Sequence, residues 1–134
     1  MITLKELLQN TPQDSLDPET AQNLQVLFDR INVIRKAYNK PMRVSSGLRS
    51  LAHHIEVYRK KGITDPSKIP MKSKHLFGQA VDISDPNKDL QKWVLANVKL
   101  LEDTQLWCED FSATPNWVHF QTVPPKSGKR FFLP

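Results

Sequence analysis

The sequence predicts a fold that mixes helices with short strands, and three observations carry that reading. Residues 17–38 repeat apolar side chains at three- and four-residue steps, the signature of an amphipathic helix. "QAVDI" (79–83) and "NWVHFQTV" (116–123) are instead short β-favouring runs. "TQLWCED" (104–110) precedes the second run across the turn-like "FSATP", as the first arm of a hairpin does.

The elements follow in order. "TLKE" at 3–6 reads as a capping box, with Thr3 as N-cap and Glu6 reaching back, and opens a short helix that ends before "NTPQD". Asp17 caps the next helix with Pro18 at its first position, and Ala21, Leu24, Leu27, Phe28, Ile31, Ile34 and Tyr38 form its apolar stripe. In "MRVSSGLRS" (42–50), Met42, Val44 and Ser46 alternate with Arg43 and Ser45. That is a short strand, broken at Gly47 by a turn that presents Arg49. A helix is expected over "SLAHHIEVYRKKG", with Leu51, Ile55 and Tyr58 on one face and Gly62 as its stop. "ITDPSKIPMKSK" (63–74) reads as a long loop.

After the strand "QAVDI", Ser84 or Asp85 caps a helix that carries Leu90, Trp93, Val94, Asn97 and Leu101 along one side. Beyond the terminal hairpin, Phe131 and Phe132 are expected to tack the basic tail "PPKSGKRFFLP" onto the body. With no repeat, low-complexity tract or linker, residues 1–134 are expected to form a single domain and to act as a monomer.

Composition narrows the chemistry. A formal charge of +5 and a pI near 9.4 favour approach to anionic material, whether nucleic acid, phospholipid or a cell-wall polymer. Cys108 is the only cysteine, so neither an intramolecular disulfide nor a Cys-rich zinc site is possible, and any metal must use histidine and carboxylate. No apolar run approaches the roughly 18 residues that a membrane span needs. The charges in "MITLKELLQN" break any signal-peptide apolar region, so synthesis in the cytoplasm without membrane insertion is expected.

The residues that carry chemistry lie in the β-favouring runs. Asp82 interrupts the apolar "QAVDI", and burying a lone carboxylate costs several kcal/mol unless a cation or donors compensate it. His75 precedes Gly78, where the chain can turn tightly enough to bring it to Asp82. Along "WVHFQTV", His119 shares a face with Trp117 and Gln121, and it joins the other two if the strands are neighbours. Two imidazoles and a carboxylate are the three-ligand shell of catalytic zinc. The same spacing also suits a plainer arrangement, with His75 in a loop, Asp82 capping a turn and His119 hydrogen-bonded in a core.

Ser73, His75, Gly78, Ala80 and Asp82, with "SSGLRS" upstream and "WVHFQ" downstream, resemble the M15 family of zinc D,D-carboxypeptidases and L-alanyl-D-glutamate endopeptidases. The resemblance spans residues 45–121. It implies an α+β fold, a small antiparallel sheet with helices packed on one side as in Hedgehog signalling domains, and one Zn2+ held by His75, Asp82 and His119. It also implies that Arg49 stabilises the charge developing on the scissile carbonyl and that Ser73 hydrogen-bonds the substrate. The substrate class it implies is the peptidoglycan stem peptide, met by a phage endolysin or a cell-wall remodelling enzyme that acts on the wall after release. Whether D-Ala-D-Ala or L-Ala-D-Glu is cleaved stays open.

One position departs from the pattern. Many relatives place the general base three residues before the last histidine, where this chain has Asn116, and an amide cannot take a proton from water. Other branches carry a glutamate at the end of the preceding strand, which points to Glu109, whereas a plain hairpin count points to Asp110. Alternation allows only one of them to face the metal.

Asn116 also motivates a rival, a zinc-containing cell-wall-binding module without hydrolysis. A nucleic-acid binder rests on charge alone and lacks basic–aromatic interleaving, so no nucleic-acid partner is expected. His53 and His54, about 100° apart on one helix, suit structural roles better than chelation. Cys108 reads as a core residue rather than a nucleophile, Trp107 and Trp117 as core or groove, and Lys126, Lys129 and Arg130 as a solvated tail.

Overall fold

The computed structural model describes residues 1–69 and 71–134; Pro70, the second proline of the loop expected at 63–74, lies outside the described residues. The first helix, α1 (Leu4–Leu8), starts at the expected capping box: Thr3 accepts from the Glu6 backbone and Glu6 reaches back to Thr3. The long helix α2 (Pro18–Tyr38) is capped by Asp17, whose carboxylate accepts from the Thr20 amide at 2.7 Å. It ends at Asn39 in the left-handed conformation that frees the chain to turn.

The remaining elements are β1 (Val44–Ser46), α3 (Leu51–Lys60), β2 (Ala80–Ser84), α4 (Asp89–Ala96), α5 (Val98–Thr104), β3 (Trp107–Glu109), β4 (Trp117–Gln121) and β5 (Phe131–Phe132). Short 3-10 turns occupy Gln13–Ser15, Pro66–Lys68 and Lys74–Phe77, so the loop expected at 63–74 contains one local turn and leads into another. The strands form one sheet in the order β1-β2-β4-β3-β5. β1 to β4 pair antiparallel, as expected. The tail strand β5 instead lies parallel to β3, Cys108 opposite Phe131 and Glu109 opposite Phe132, so the sheet is mixed.

Period-two alternation gives the sheet two unlike faces. Val81, Ile83, Cys108, Val118 and Phe120 are buried on one face against Leu24, Leu27, Ile31 and Ile34 of α2. Leu7, Leu90, Val94 and Leu101 bring α1, α4 and α5 into the same core. Full burial of each such side chain is worth roughly 1.5–3 kcal/mol relative to exposure, so this layer dominates the stabilisation. The opposite face carries Asp82, His119, Gln121 and Glu109.

Two helices depart from the sequence reading. The helix expected to run from Leu90 through Leu101 breaks at Asn97, whose side-chain amide donates to the Trp93 carbonyl at 2.8 Å while its backbone N–H turns to Val94. That local bond competes with the helical ladder, and α5 starts anew. The start of α4 also falls later than expected: Lys88, in the left-handed conformation, holds the cap position without a side-chain bond. The buried Asp85 further upstream satisfies the first turn, its two carboxylate oxygens accepting from Leu90 N at 3.0 Å and from Gln91 N at 2.8 Å.

In α3 the expected apolar face is not the buried one. Leu51 and Ile55 are exposed and His54 is buried beside the Tyr58 ring, 4.9 Å between centroids. The helix is oriented by its first turn, where Ser50 caps the His53 amide and the preceding Arg49 N–H bonds the His75 carbonyl at 3.1 Å. Leu51 therefore meets Met71 and Phe77 around an open apolar pocket of about 430 Å³ instead of the core.

Candidate active site

Asp82 of β2 and His119 of β4 are directly opposed partners in the sheet, and alternation turns both away from the helical core. His75 reaches them from the turn Lys74–Phe77, which closes at Gly78 with φ 73°. A Cβ at Gly78 would stand 3.2 Å from the Thr20 carbonyl oxygen, so glycine both permits the left-handed backbone and lets the turn seat on α2. The three side chains come together in a buried cluster, with residue exposures of 4% for His75, 8% for Asp82 and 6% for His119.

The hydrogen bonds fix which atoms converge. Nδ1 of His75 lies 2.9 Å from the Gly47 carbonyl oxygen, which can only accept, so Nδ1 carries the proton and the Nε2 lone pair faces Oδ2 of Asp82 at 3.2 Å. The Gln121 amide nitrogen donates to the Val123 carbonyl at 2.8 Å, which turns Oε1 toward Nε2 of His119 at 2.9 Å. Nε2 of His119 is therefore the protonated nitrogen, and Nδ1 faces Oδ1 of Asp82 at 2.8 Å.

Two imidazole lone pairs and a carboxylate thus meet at one point, with candidate ligand atoms all within 4.8 Å of one another. Only a cation reconciles them, either a shared proton or a metal ion, and this donor set matches that of catalytic zinc.

The electrostatics agree. Burial on its own raises the Asp82 pKa, but the hydrogen bonds and charges of His119 and His75 outweigh it and hold the carboxyl well below its ordinary range. Burial likewise disfavours a charged His119, yet Asp82, with Glu109 and Gln121 adding smaller contributions, pushes that imidazole upward. The pocket is built to hold positive charge between these three groups.

Around the cluster opens a cleft of about 620 Å³, lined among others by Arg49, Ser73, Glu109 and Trp117, with Lys61, Lys72 and Lys74. Arg49 is positioned by Ser46, whose Oγ accepts from Nε at 3.1 Å, and it forms no ion pair among the described residues. Ser73 lines the cleft at the start of the His75 turn, and its side chain makes no capping bond.

The register separates the two acids. Trp107 pairs with Gln121 and Cys108 with Phe120, so the ladder runs Glu109 toward His119, and Glu109 lines the cleft. Asp110 turns away: its carboxylate accepts from the Ser112 amide at 2.9 Å and hydroxyl at 2.7 Å, bonds that lower its pKa. Asn116 is exposed outside the lining, its carbonyl accepting from Asp85 N at 2.8 Å.

Other candidates fall elsewhere. Cys108 is fully buried, and burial pushes its thiol far above the ordinary range, which removes it as a nucleophile. Arg130 is not a free tail charge, because it stacks on Trp107 with 4.5 Å to the ring centroid and donates to the Leu106 carbonyl at 2.9 Å. His53 is exposed and distant in role from His54, which is buried. Sequence reasoning placed Gln121 on the His119 face but gave it no function, and it passed over the Gly47 carbonyl and the lysine rim. The Gln121 signal was the shared face itself; a backbone carbonyl leaves none.

The family model described as Peptidase M15 matches residues 2–121 of the chain. That stretch contains every residue of the cleft named above. Neither the comparison with curated proteins nor that with solved structures finds a match.

Proposed function

Because the chain belongs to the peptidase M15 family, we propose that it is a zinc-dependent peptidoglycan peptidase that hydrolyses an amide bond of the stem peptide. One observation carries the reading: His75, Asp82 and His119 direct two lone pairs and a carboxylate at one point, on a cleft that also presents Glu109. A zinc ion bound there supplies Lewis acidity, which polarises a carbonyl and acidifies water toward neutral pH.

The chain's own residues supply the rest. Glu109 is the general base: it takes a proton from the attacking water and returns it to the leaving amine, so carboxylate and proton balance over one turnover. Arg49, fixed by Ser46 and free of any carboxylate partner among the described residues, stabilises the oxyanion of the tetrahedral carbon. Ser73 hydrogen-bonds the substrate's carboxylate at the cleft edge. The rim of Lys61, Lys72 and Lys74 suits stem peptides, which are rich in carboxylates.

Cleavage of D-Ala-D-Ala by a carboxypeptidase and of L-Ala-D-Glu by an endopeptidase both fit this chemistry. The net charge of +5 suits approach to the anionic wall, and the role we favour is that of a phage endolysin or a remodelling enzyme made in the cytoplasm and acting on the wall after release. We take the active form to be a monomeric single domain.

Mass spectrometry of muropeptides digested with and without a zinc chelator tests this reading. The expected result is one new amino terminus per cut, lost on chelation and restored by zinc. Binding to peptidoglycan without release of amino groups would replace it with the wall-binding module that Asn116 suggests.

A further inference from the structure

We propose that Gln121 is a positioning residue of the metal centre: its side-chain amide, anchored on the Val123 carbonyl, locks His119 in the form that offers Nδ1 to the ion. The inference rests on reading His75, Asp82 and His119 as that centre.

A neutral imidazole has two tautomers and two ring orientations, and only one combination aims a lone pair at Asp82. His75 has its choice made by the backbone, through the Gly47 carbonyl. Among the described residues, the partner of His119 Nε2 is no backbone carbonyl but Oε1 of Gln121, at 2.9 Å. An amide is ambiguous on its own, since either end can face a histidine. The ambiguity is removed two residues further on, where Val123 presents an acceptor at 2.8 Å and takes the amide nitrogen. The polarity therefore runs in one direction, from the Val123 carbonyl through the amide to the Nε2 proton and so to the Nδ1 lone pair.

The local fold explains why this amide is held. Gln121 closes β4 and is 4% exposed, so water does not compete for its amide. Its cross-strand partner on β2 is Ala80, whose small side chain leaves the space above the sheet to the longer glutamine. The Trp107 partner on β3 flanks it from the other side. Partners that orient a ligating histidine typically contribute 10–100-fold to metal affinity.

The test compares Gln121→Met, which keeps the length and removes both polar ends, with Gln121→Glu, which keeps the acceptor toward His119. Zinc affinity is read by competition with a chromogenic chelator, and the protonated ring nitrogen of His119 by nitrogen–proton correlation spectroscopy. Gln121→Met should weaken zinc 10–100-fold, Gln121→Glu should recover most of that loss, and the wild-type zinc protein should carry its His119 proton on Nε2. A Gln121→Met variant that binds zinc within twofold of wild type overturns the proposal. So does a wild-type His119 protonated on Nδ1, a result that needs no variant to fold. Failure of the wild-type protein to bind zinc would refute the metal centre itself; the His119 spectrum at alkaline pH would still decide whether Gln121 sets the tautomer.

Discussion

The Gly47 carbonyl accepts from Nδ1 of His75 at 2.9 Å, while a Cβ on Gly47 would stand only 2.4 Å from the Leu7 carbonyl oxygen. One residue thus orients a site histidine and lets the β1–α3 turn close against α1, where Leu48 N bonds the same Leu7 carbonyl at 2.8 Å. Gly47→Ala must push backbone against backbone, and overpacking of this kind costs roughly 1–3 kcal/mol. The expected outcome is a lower Tm together with weaker zinc binding, read by thermal melts and chelator competition. Loss of stability alone, with zinc affinity intact, would show that the contact of the Gly47 carbonyl with His75 Nδ1 does not matter to the ion.

Adjacent acids make the next contrast. Glu109 faces the cleft beside His119, whereas both hydrogen bonds that the Asp110 carboxylate accepts come from Ser112. Replacing Glu109 with Gln keeps its shape and removes the proposed base, so hydrolysis should fall by about 10²–10⁴-fold while zinc stays bound. Asp110→Asn should keep activity within about twofold, because that carboxylate only closes a turn. Muropeptide release at saturating zinc measures both, and full activity in Glu109→Gln would exclude Glu109 as base.

On the proposed reading, zinc and protons compete for the same lone pairs, which sets a pH signature. With zinc chelated, the Asp82 contribution to stability is present above the ordinary carboxyl value of 3.8 and is lost as pH falls through its lowered folded value. The His119 contribution has the opposite sign: it is complete below 6.5 and is lost as pH rises through the raised folded value. The chelated protein should therefore draw most from this cluster between those two ordinary values. A bound ion takes the proton's place, so the Tm gained on adding zinc should grow from mildly acidic to mildly alkaline pH. At zinc equal to 100 Kd the gain corresponds to about 2.7 kcal/mol, and Asp82→Ala should abolish it. A gain that does not change with pH would mean that zinc binds elsewhere.

Local chemistry decided what could be read in advance. Thr3 and Asp17 announce their helices because each cap bonds a target only three residues on, Glu6 and Thr20, and Pro18 marks the first helical position after Asp17. His75, Asp82 and His119 were legible because a carboxylate amid apolar strand residues demands a partner, and alternation assigns faces. What depends on distant contacts was not legible. The two-residue β5 is too short to show a period, and its parallel pairing follows from where Phe131 and Phe132 find a place beside β3. The rotation of α3 is set by Arg49 bonding the His75 carbonyl, a contact between loops that no helical stripe encodes. Glu109 against Asp110 is a one-residue question of register, settled only when Cys108 is seen opposite Phe120.

The lysine rim offers a prediction separable from catalysis. Lys61 and Lys72 are exposed and Lys74 is half-buried, all on the cleft that holds the three site residues. Long-range attraction by such groups acts on encounter and ground-state binding, not on the bond being broken, and it is screened over about 10 Å at 0.1 M salt. The double variant Lys72→Glu with Lys74→Glu should therefore raise KM for a carboxylate-rich stem peptide several-fold and leave kcat nearly unchanged. Single exposed charge pairs are worth about 0.2–1 kcal/mol, so losing two should keep the combined effect within roughly 30-fold. Raising the salt concentration should narrow the gap between variant and wild type, because it screens both the attraction of Lys72 and Lys74 and the repulsion of the glutamates that replace them. A fall in kcat at constant KM would instead place one of these lysines at the reacting atoms, and an unchanged KM at low salt would remove the rim from substrate recognition.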